Sequence, residues 1–201
     1  MIENRSGSGG LIGADAVAKA APDGYTFLMA TTGLLSIAPH LYPQMPFDPA
    51  RDFAPISLVF ATDLVVTVAG NLPVKTLQEF VNYAKARPGA ISYASSGAGT
   101  TTHAATELFR LAAGIELLHV PYRGSGPAMN DLVAGNIQLM VDQIASSIGQ
   151  IRDGGIRALA VTGTKRHSLL PDVQLSARQD FLMPRRHHGA ASSLRLRSLG
   201  R

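Results

Sequence analysis

Residues 91–103 read Ile-Ser-Tyr-Ala-Ser-Ser-Gly-Ala-Gly-Thr-Thr-Thr-His. The opening residues 91–94, Ile-Ser-Tyr-Ala, predict a short strand. Gly97 and Gly99 break it, and Thr100 to Thr102 open a helix near His103 with Thr as the N-cap. A helix leaves the N–H groups of its first turn unpaired, and its dipole adds partial positive charge there. Glycines let a ligand come close to such a backbone, and Ser and Thr hydroxyls add donors. One reading is an anion site made mainly of main-chain amides, drawing on Ser96, Gly97, Gly99, Thr100 and Thr101. The other is a tight strand-to-helix turn with a Thr cap and no ligand.

Working outward, strands and helices alternate. Upstream, residues 25–30, 56–60 and 64–68 are apolar runs that predict strands, the first ending at Thr31-Thr32-Gly33. Residues 14–21 predict a helix after the glycines at 7, 9, 10 and 13. Thr76 and Glu79 form a capping-box pair ahead of a helix whose apolar face is Leu77, Phe80, Val81 and Ala84. Downstream, the helix over 104–113 has Ala105, Leu108, Phe109 and Ala112 as its stripe and Gly114 as its C-cap. Strands follow at 117–120, 137–141 and 158–161. Between them lie a helix with Pro127 at its first position and Gly135 as its stop, and another helix over 144–151. Alternation of this kind predicts α/β architecture with largely parallel sheets, and ligands in such folds bind beyond the carboxyl ends of the strands. Thr31-Thr32-Gly33, the 95–102 loop, Tyr122 to Gly126 and Asp142 all fall at such ends.

Composition bounds the function. The chain has 201 residues, 46% of them hydrophobic, and no Cys. It can bury a real core but can form neither disulfides nor Cys-ligated metal sites. No apolar run approaches the ~20 residues that cross a bilayer. The N-terminal Met-Ile-Glu-Asn-Arg holds no apolar signal core, which predicts that the chain as given stays cytoplasmic. The net charge of +4 is a property of the C-terminus: from Gln174 onward six Arg face one acid, leaving −1 for residues 1–173. An Arg-rich tail is one route to nucleic-acid binding through phosphate charge. Here it carries no recognisable motif, and the expectation is of no nucleic-acid partner. Residues 174–201 read as unrelated, disordered sequence.

Enzyme signatures are missing. There is no phosphate-cradling G-x-x-x-x-G-K-[ST], no G-x-S-x-G elbow, no H-E-x-x-H and no G-x-G-x-x-G. His103 and Glu107 are four apart, but two ligands make a poor metal site, so neither metal nor cofactor is expected. His103 or His119 would be the base if the fold hosted an enzyme. Asp142 is either an N-cap for the next helix or an acceptor for a ligand's ammonium or hydroxyl group. Arg123 is either a ligand-carboxylate partner or a member of a surface or structural salt bridge.

The chain resembles the Bug-type solute-binding receptors of the tripartite tricarboxylate transporters over residues 2–173. The stretches that carry the resemblance, in order, begin with Glu3-Asn4-Arg5 and its glycine-rich continuation, then Ala18-Lys19-Ala20-Ala21-Pro22-Asp23-Gly24-Tyr25-Thr26. Ser95-Ser96-Gly97-Ala98-Gly99-Thr100, His119-Val120-Pro121-Tyr122-Arg123-Gly124, Arg157-Ala158-Leu159-Ala160-Val161-Thr162 and Leu170-Pro171-Asp172-Val173 follow. The resemblance implies a two-lobed, type 2 periplasmic-binding-protein-like fold that closes on a small organic carboxylate and delivers it to a membrane permease. It implies a periplasmic site of action for an intact parent. It places the ligand against Ser96, Gly97, Gly99, Thr100, Thr101, Tyr122, Gly124 and Asp142 of one lobe and Thr31, Thr32 and Gly33 of the other. The second lobe, 66–163, then reads as complete. The first reads as partial, with residues 1–65 and the start of a return at 164–173. The expectation is therefore of a binding protein without catalysis, weakened in this chain by its incomplete first lobe.

Overall fold

The computed structural model describes residues 1–175. Along residues 1–63 regular structure is sparse. Helix α1 (Leu11–Ala18) starts directly after Gly10, whose φ of 98° ends the preceding glycine turn. It therefore lies earlier than the expected 14–21. Gly33–Ile37 forms a π-helical segment that runs into the short helix α2 (Ala38–Leu41).

The strands expected at 25–30 and 56–60 do not form. The period-2 pattern is present at 25–30: Leu28 and Ala30 pack on Ala14, Leu34 and Phe47, while Tyr25, Phe27 and Met29 face solvent. Ile56, Leu58, Val59 and Phe60 are exposed as well. A strand exists only by sharing its N–H and C=O groups with a neighbour, and among the described residues no strand pairs with either segment.

From residue 64 the chain becomes regular. It forms β1 (Leu64–Ala69), α3 (Leu77–Lys85), β2 (Ser92–Ser95), α4 (Thr101–Ala113), β3 (Leu118–Pro121), α5 (Ser125–Ala134), β4 (Leu139–Gln143), α6 (Ile144–Arg152) and β5 (Ile156–Val161). The strands make one sheet in the order β3-β2-β4-β1-β5. Strand β2 is parallel to β3 and β4, but β1 is antiparallel to both β4 and β5. The expectation of largely parallel pairing thus fails around β1. This strand enters from residues 1–63 and leaves through α3 to β2, so no crossover helix joins it to either neighbour and none fixes its direction.

Both faces of the sheet are covered. Val66, Val68, Leu77, Phe80, Phe109, Leu139 and Val141 form the larger core, and Ala94, Ala128, Met129, Leu132 and Met140 the opposite one. The capping box forms as expected: Thr76 Oγ1 accepts the Glu79 N–H at 3.1 Å, although the Glu79 carboxylate reaches the N–H of Lys75 rather than that of Thr76. Leu77, Phe80, Val81 and Ala84 are all buried. Helix α4 differs. Its buried stripe is Thr102, Thr106, Phe109 and Ala113, whereas Leu108 and Leu111 are exposed. Two threonines can line that stripe because Thr106 Oγ1 donates back to the Thr102 carbonyl at 2.9 Å. Helix α5 starts at Ser125, so Pro127 is its third residue rather than its first and still sits in the turn that needs no N–H.

After β5 the chain turns back, and Val161 donates its N–H to the Gln174 carbonyl and pairs in parallel with Leu175. The rest of the basic stretch expected to be unrelated lies outside the described residues.

Candidate functional site

The loop between β2 and α4 is held largely by its own hydrogen bonds. Ser96 N–H donates to Thr102 Oγ1 at 3.0 Å, Gly97 N–H to Ser95 Oγ at 3.3 Å and Gly99 N–H to His103 Nδ1 at 3.2 Å. Thr100 caps α4 by accepting the His103 N–H, and its hydroxyl donates to the Gly97 carbonyl at 2.6 Å. Several amides expected to meet an anion are therefore spent inside the loop. An incoming anion would draw on Ala98 and on the first-turn N–H groups of Thr101 and Thr102, where the helix dipole adds its partial charge.

Two further segments join this loop at the carboxyl ends of the strands. The β2–β3 ladder continues past both strands, with Tyr122 N–H donating to Ser95 O at 3.0 Å and Gly124 N–H to Ser96 O at 3.2 Å. The Tyr122 hydroxyl is committed to Asp131 at 2.6 Å. Burial, helped by that carboxylate, pushes its pKa up to about 12. Asp142 is 1% exposed and accepts from Ser125 Oγ at 3.0 Å and Ser146 Oγ at 2.8 Å, tying the first turn of α5 to the first turn of α6. Burial raises its pKa, against the pull of those hydroxyls. The N-cap position of α6 belongs to Gln143, so Asp142 serves as a buried acceptor one residue earlier. Arg123 is exposed.

The residues expected in the first lobe come against the same loop. Gly33 N–H donates to Thr101 Oγ1 at 3.2 Å, and a Cβ on Gly33 would stand 2.7 Å from the Thr101 nitrogen. Only glycine permits that approach of backbone to helix N-terminus. Thr31 and Thr32 are exposed beside it, and Thr31 Oγ1 accepts the Leu34 N–H. Gly9 approaches Ala98 and Gly97, and the Tyr42 hydroxyl donates to the Ala98 carbonyl at 3.1 Å. Thr31, Thr32, Gly33, Ser96, Gly97, Gly99, Thr100, Thr101, Tyr122, Gly124 and Asp142 thus belong to one neighbourhood, linked through Thr101, Ser96 and Ser125.

Beneath the loop lies a stack that the motifs do not foretell. The His103 and His119 rings are 4.3 Å apart at 19°, and His119 lies on Tyr93 at 4.8 Å and 16°. Tyr93 and His119 are register partners across β2 and β3, which is why they meet. His119 Nε2 is 2.7 Å from Ser95 Oγ. Ser95 is fully buried, so this pairing is no exposed nucleophile. Tyr93 donates to Glu107 at 2.7 Å, and Arg110 holds the same carboxylate at 2.8 Å. Burial raises the Glu107 pKa, but the bonds from Arg110 and Tyr93 outweigh it and hold the carboxyl below its ordinary range. Among the described residues no group of three His, Asp or Glu side chains could hold a metal ion.

The sequence profile described as tripartite tricarboxylate transporter family receptor matches residues 1–181. The chain belongs to this family. The match extends past Val173, where the resemblance read from the residues ended. The fold is that of solved receptors. BugD, a periplasmic binding protein, is 37% identical with a TM-score of 0.84 over 89% of this chain. Rpa4515 of Rhodopseudomonas palustris, solved with adipate, is 38% identical with a TM-score of 0.87 over 90%. MatC of Rhodopseudomonas palustris, solved with malate, is 31% identical with a TM-score of 0.81 over 88%. The chain covers 60% of each of these three and spans about half the length of the curated relatives it matches.

Membership bears out the Bug-type resemblance and the type 2 binding-protein fold, and the relatives it rests on are solute-binding receptors rather than enzymes. Among the described residues no helix is long and apolar enough to cross a membrane. Sequence reading missed Tyr93, Gly9 and Tyr42, and took Ser95 only as part of the 95–102 loop. Tyr93 and Ser95 carry a usable signal, since strand periodicity sets both on one face of β2, two residues apart.

Proposed function

We propose that this chain carries the second-lobe half, and part of the first-lobe half, of a receptor for a small organic carboxylate. The observation that supports this most is Gly33 donating to Thr101 at the N-terminus of α4. It joins the expected first-lobe segment to the expected anion loop. The carboxylate would sit where Ala98, Thr101 and Thr102 can donate, with the Thr31 and Thr32 hydroxyls opposite and closure of the two lobes excluding water. Gly124 would shape the wall made by the 122–126 loop, and Asp142 would set that wall's position through Ser125. In an intact parent the loaded receptor would work in the periplasm and pass its ligand to a membrane permease. The short dicarboxylates bound by Rpa4515 and MatC set the ligand class to try first.

Calorimetric titration of the purified chain with adipate, malate and a monocarboxylate tests the reading. Saturable binding of a dicarboxylate, lost in Thr101→Val and Gly33→Val, is the expected result. We expect it to be weak, because little of the expected first-lobe stretch is built into regular secondary structure around the loop. A folded chain that binds none of these acids at millimolar concentration would sink the proposal.

A further inference from the structure

Both glycine amides of the β2–α4 loop end on the histidine stack. Gly99 N–H donates directly to His103 Nδ1, and Gly97 N–H donates to Ser95 Oγ, which is itself bonded to His119 Nε2. Gly99 also packs against Tyr42 and Leu41 of the first lobe, so its position matters to both sides of the cleft. For His103 Nδ1 to accept, it must carry no proton, which fixes the tautomer with hydrogen on Nε2.

We infer that His103 and His119 are positioning residues that hold the ligand loop in its binding shape while neutral and release it on protonation. This deepens the proposed function and rests on reading residues 96–102 as the ligand loop. A proton on His103 Nδ1 turns the acceptor into a donor facing another donor, so the Gly99 bond is lost. The partner cannot take up a second charge easily, because the two rings are 4.3 Å apart in a partly buried stack.

The charged and titratable neighbours on every packed element act as follows. On α4, Glu107 favours an imidazolium, but its carboxylate is already held by Arg110 and by the Tyr93 hydroxyl from β2. On β3, His119 disfavours a second charge. From the first lobe, Tyr42 brings only a hydroxyl, and that is bonded to Ala98. Burial pushes both histidines below their ordinary value, with Glu107 opposing. The loop is therefore set at neutral pH and released as the medium turns acid. A single obligatory deprotonation makes the apparent Kd rise toward tenfold per pH unit below the His103 pKa.

The test uses the full chain labelled with 15N-glycine and followed by NMR from pH 8 to pH 5, with the histidine ring protons read in the same samples. The Gly99 amide is expected to shift and lose protection with the midpoint of His103. In His103→Asn, an acceptor that cannot be protonated, Gly99 should keep its bonded shift throughout. His103→Ala, which removes the acceptor, should leave the Gly99 amide unprotected at every pH, and should it fail to fold, the wild type and His103→Asn still decide the matter. A Gly99 amide indifferent to His103 titration, or one that titrates unchanged in His103→Asn, overturns the inference. Adipate and malate titrations in the same series separate the two readings. If neither acid binds at any pH while Gly99 still follows His103, the proposed function fails and the positioning device stands. Affinity that rises on acidification would make the imidazolium a direct ligand and would also overturn the inference.

Discussion

Residues 25–30 and 56–60 carry apolar side chains at strand spacing, and so do residues 64–69. In β1, Val65, Val66 and Val68 are fully buried between β4 and β5. In the two earlier segments, Tyr25, Phe27, Met29, Ile56, Leu58, Val59 and Phe60 remain exposed. Burying one such side chain fully contributes about 1.5–3 kcal/mol, so the gap between the two regions is large. The same local pattern yields a core in one place and an uncovered face in the other. Strand pattern declares what a segment can pair with, and the presence of a partner decides whether it does.

The strongest way to break this comparison is local opening. Segments with few buried contacts open at almost no cost, whereas core strands open only with global unfolding. Limited proteolysis should therefore cut within 20–31 and 49–63 at least ~10³-fold faster than within β1 to β5. Comparable cutting rates in both regions would mean that the sheet is no more stable than the first-lobe stretch.

Packing sharpens the same contrast. Phe109 is fully buried beside Phe80, with ring centroids 6.2 Å apart. Phe47 is also buried, but in a small cluster with Ala14 and Leu34. Phe109→Ala should destabilise the sheet by about 3–5 kcal/mol in urea unfolding. Phe47→Ala should leave the same transition within about 0.5 kcal/mol. Equal shifts in the urea midpoint would show one cooperative unit and erase the distinction.

The junction gives a third test. A methyl on Gly33 meets the Thr101 nitrogen at 2.7 Å, so Gly33→Ala must push the two segments apart. The sheet should keep its stability, while the affinity for any dicarboxylate found to bind falls about tenfold, which is ~1.4 kcal/mol. Retained affinity in this variant, measured by calorimetry, would show that Gly33 does not shape the site.

Much of the sheet was legible because β-branched and apolar runs are bounded by Gly and Pro, and caps such as Thr76 and Gly114 are local signals. The direction of β1 was not legible, since no feature of 64–69 records which neighbours it will find. The site was legible as segments and illegible as contacts. Gly33 and Thr101 are 68 residues apart, and their meeting depends on a helix N-terminus accepting a backbone without a side chain. The His119 stack depends on the register of β2 against β3, which spacing along the chain does not encode.

The smallest expected effect is in acid, and it too divides the regions. In residues 1–63 the Glu3–Arg5 pair lies in solvent, where screening leaves an ion pair little influence on stability. The sheet and its helices hold partly or fully buried groups that pull in opposite directions. His103 and His119 sit below their ordinary value of 6.5, so the unfolded chain binds more protons than the native one in that range. Their contribution is complete above about pH 6.5 and is lost as the pH falls toward the lowered native values. Asp142 sits above its ordinary 3.8, so the native chain binds the extra proton there. Its contribution is present in acid and lost as the pH rises through the raised value. The melting temperature should therefore decline from pH 7.5 to 5.5. The decline should flatten in the double variant His103→Asn/His119→Asn, and the acid limb should steepen in Asp142→Asn, which removes the opposing term. A decline that survives unchanged in the double histidine variant would place the acid sensitivity outside the stack.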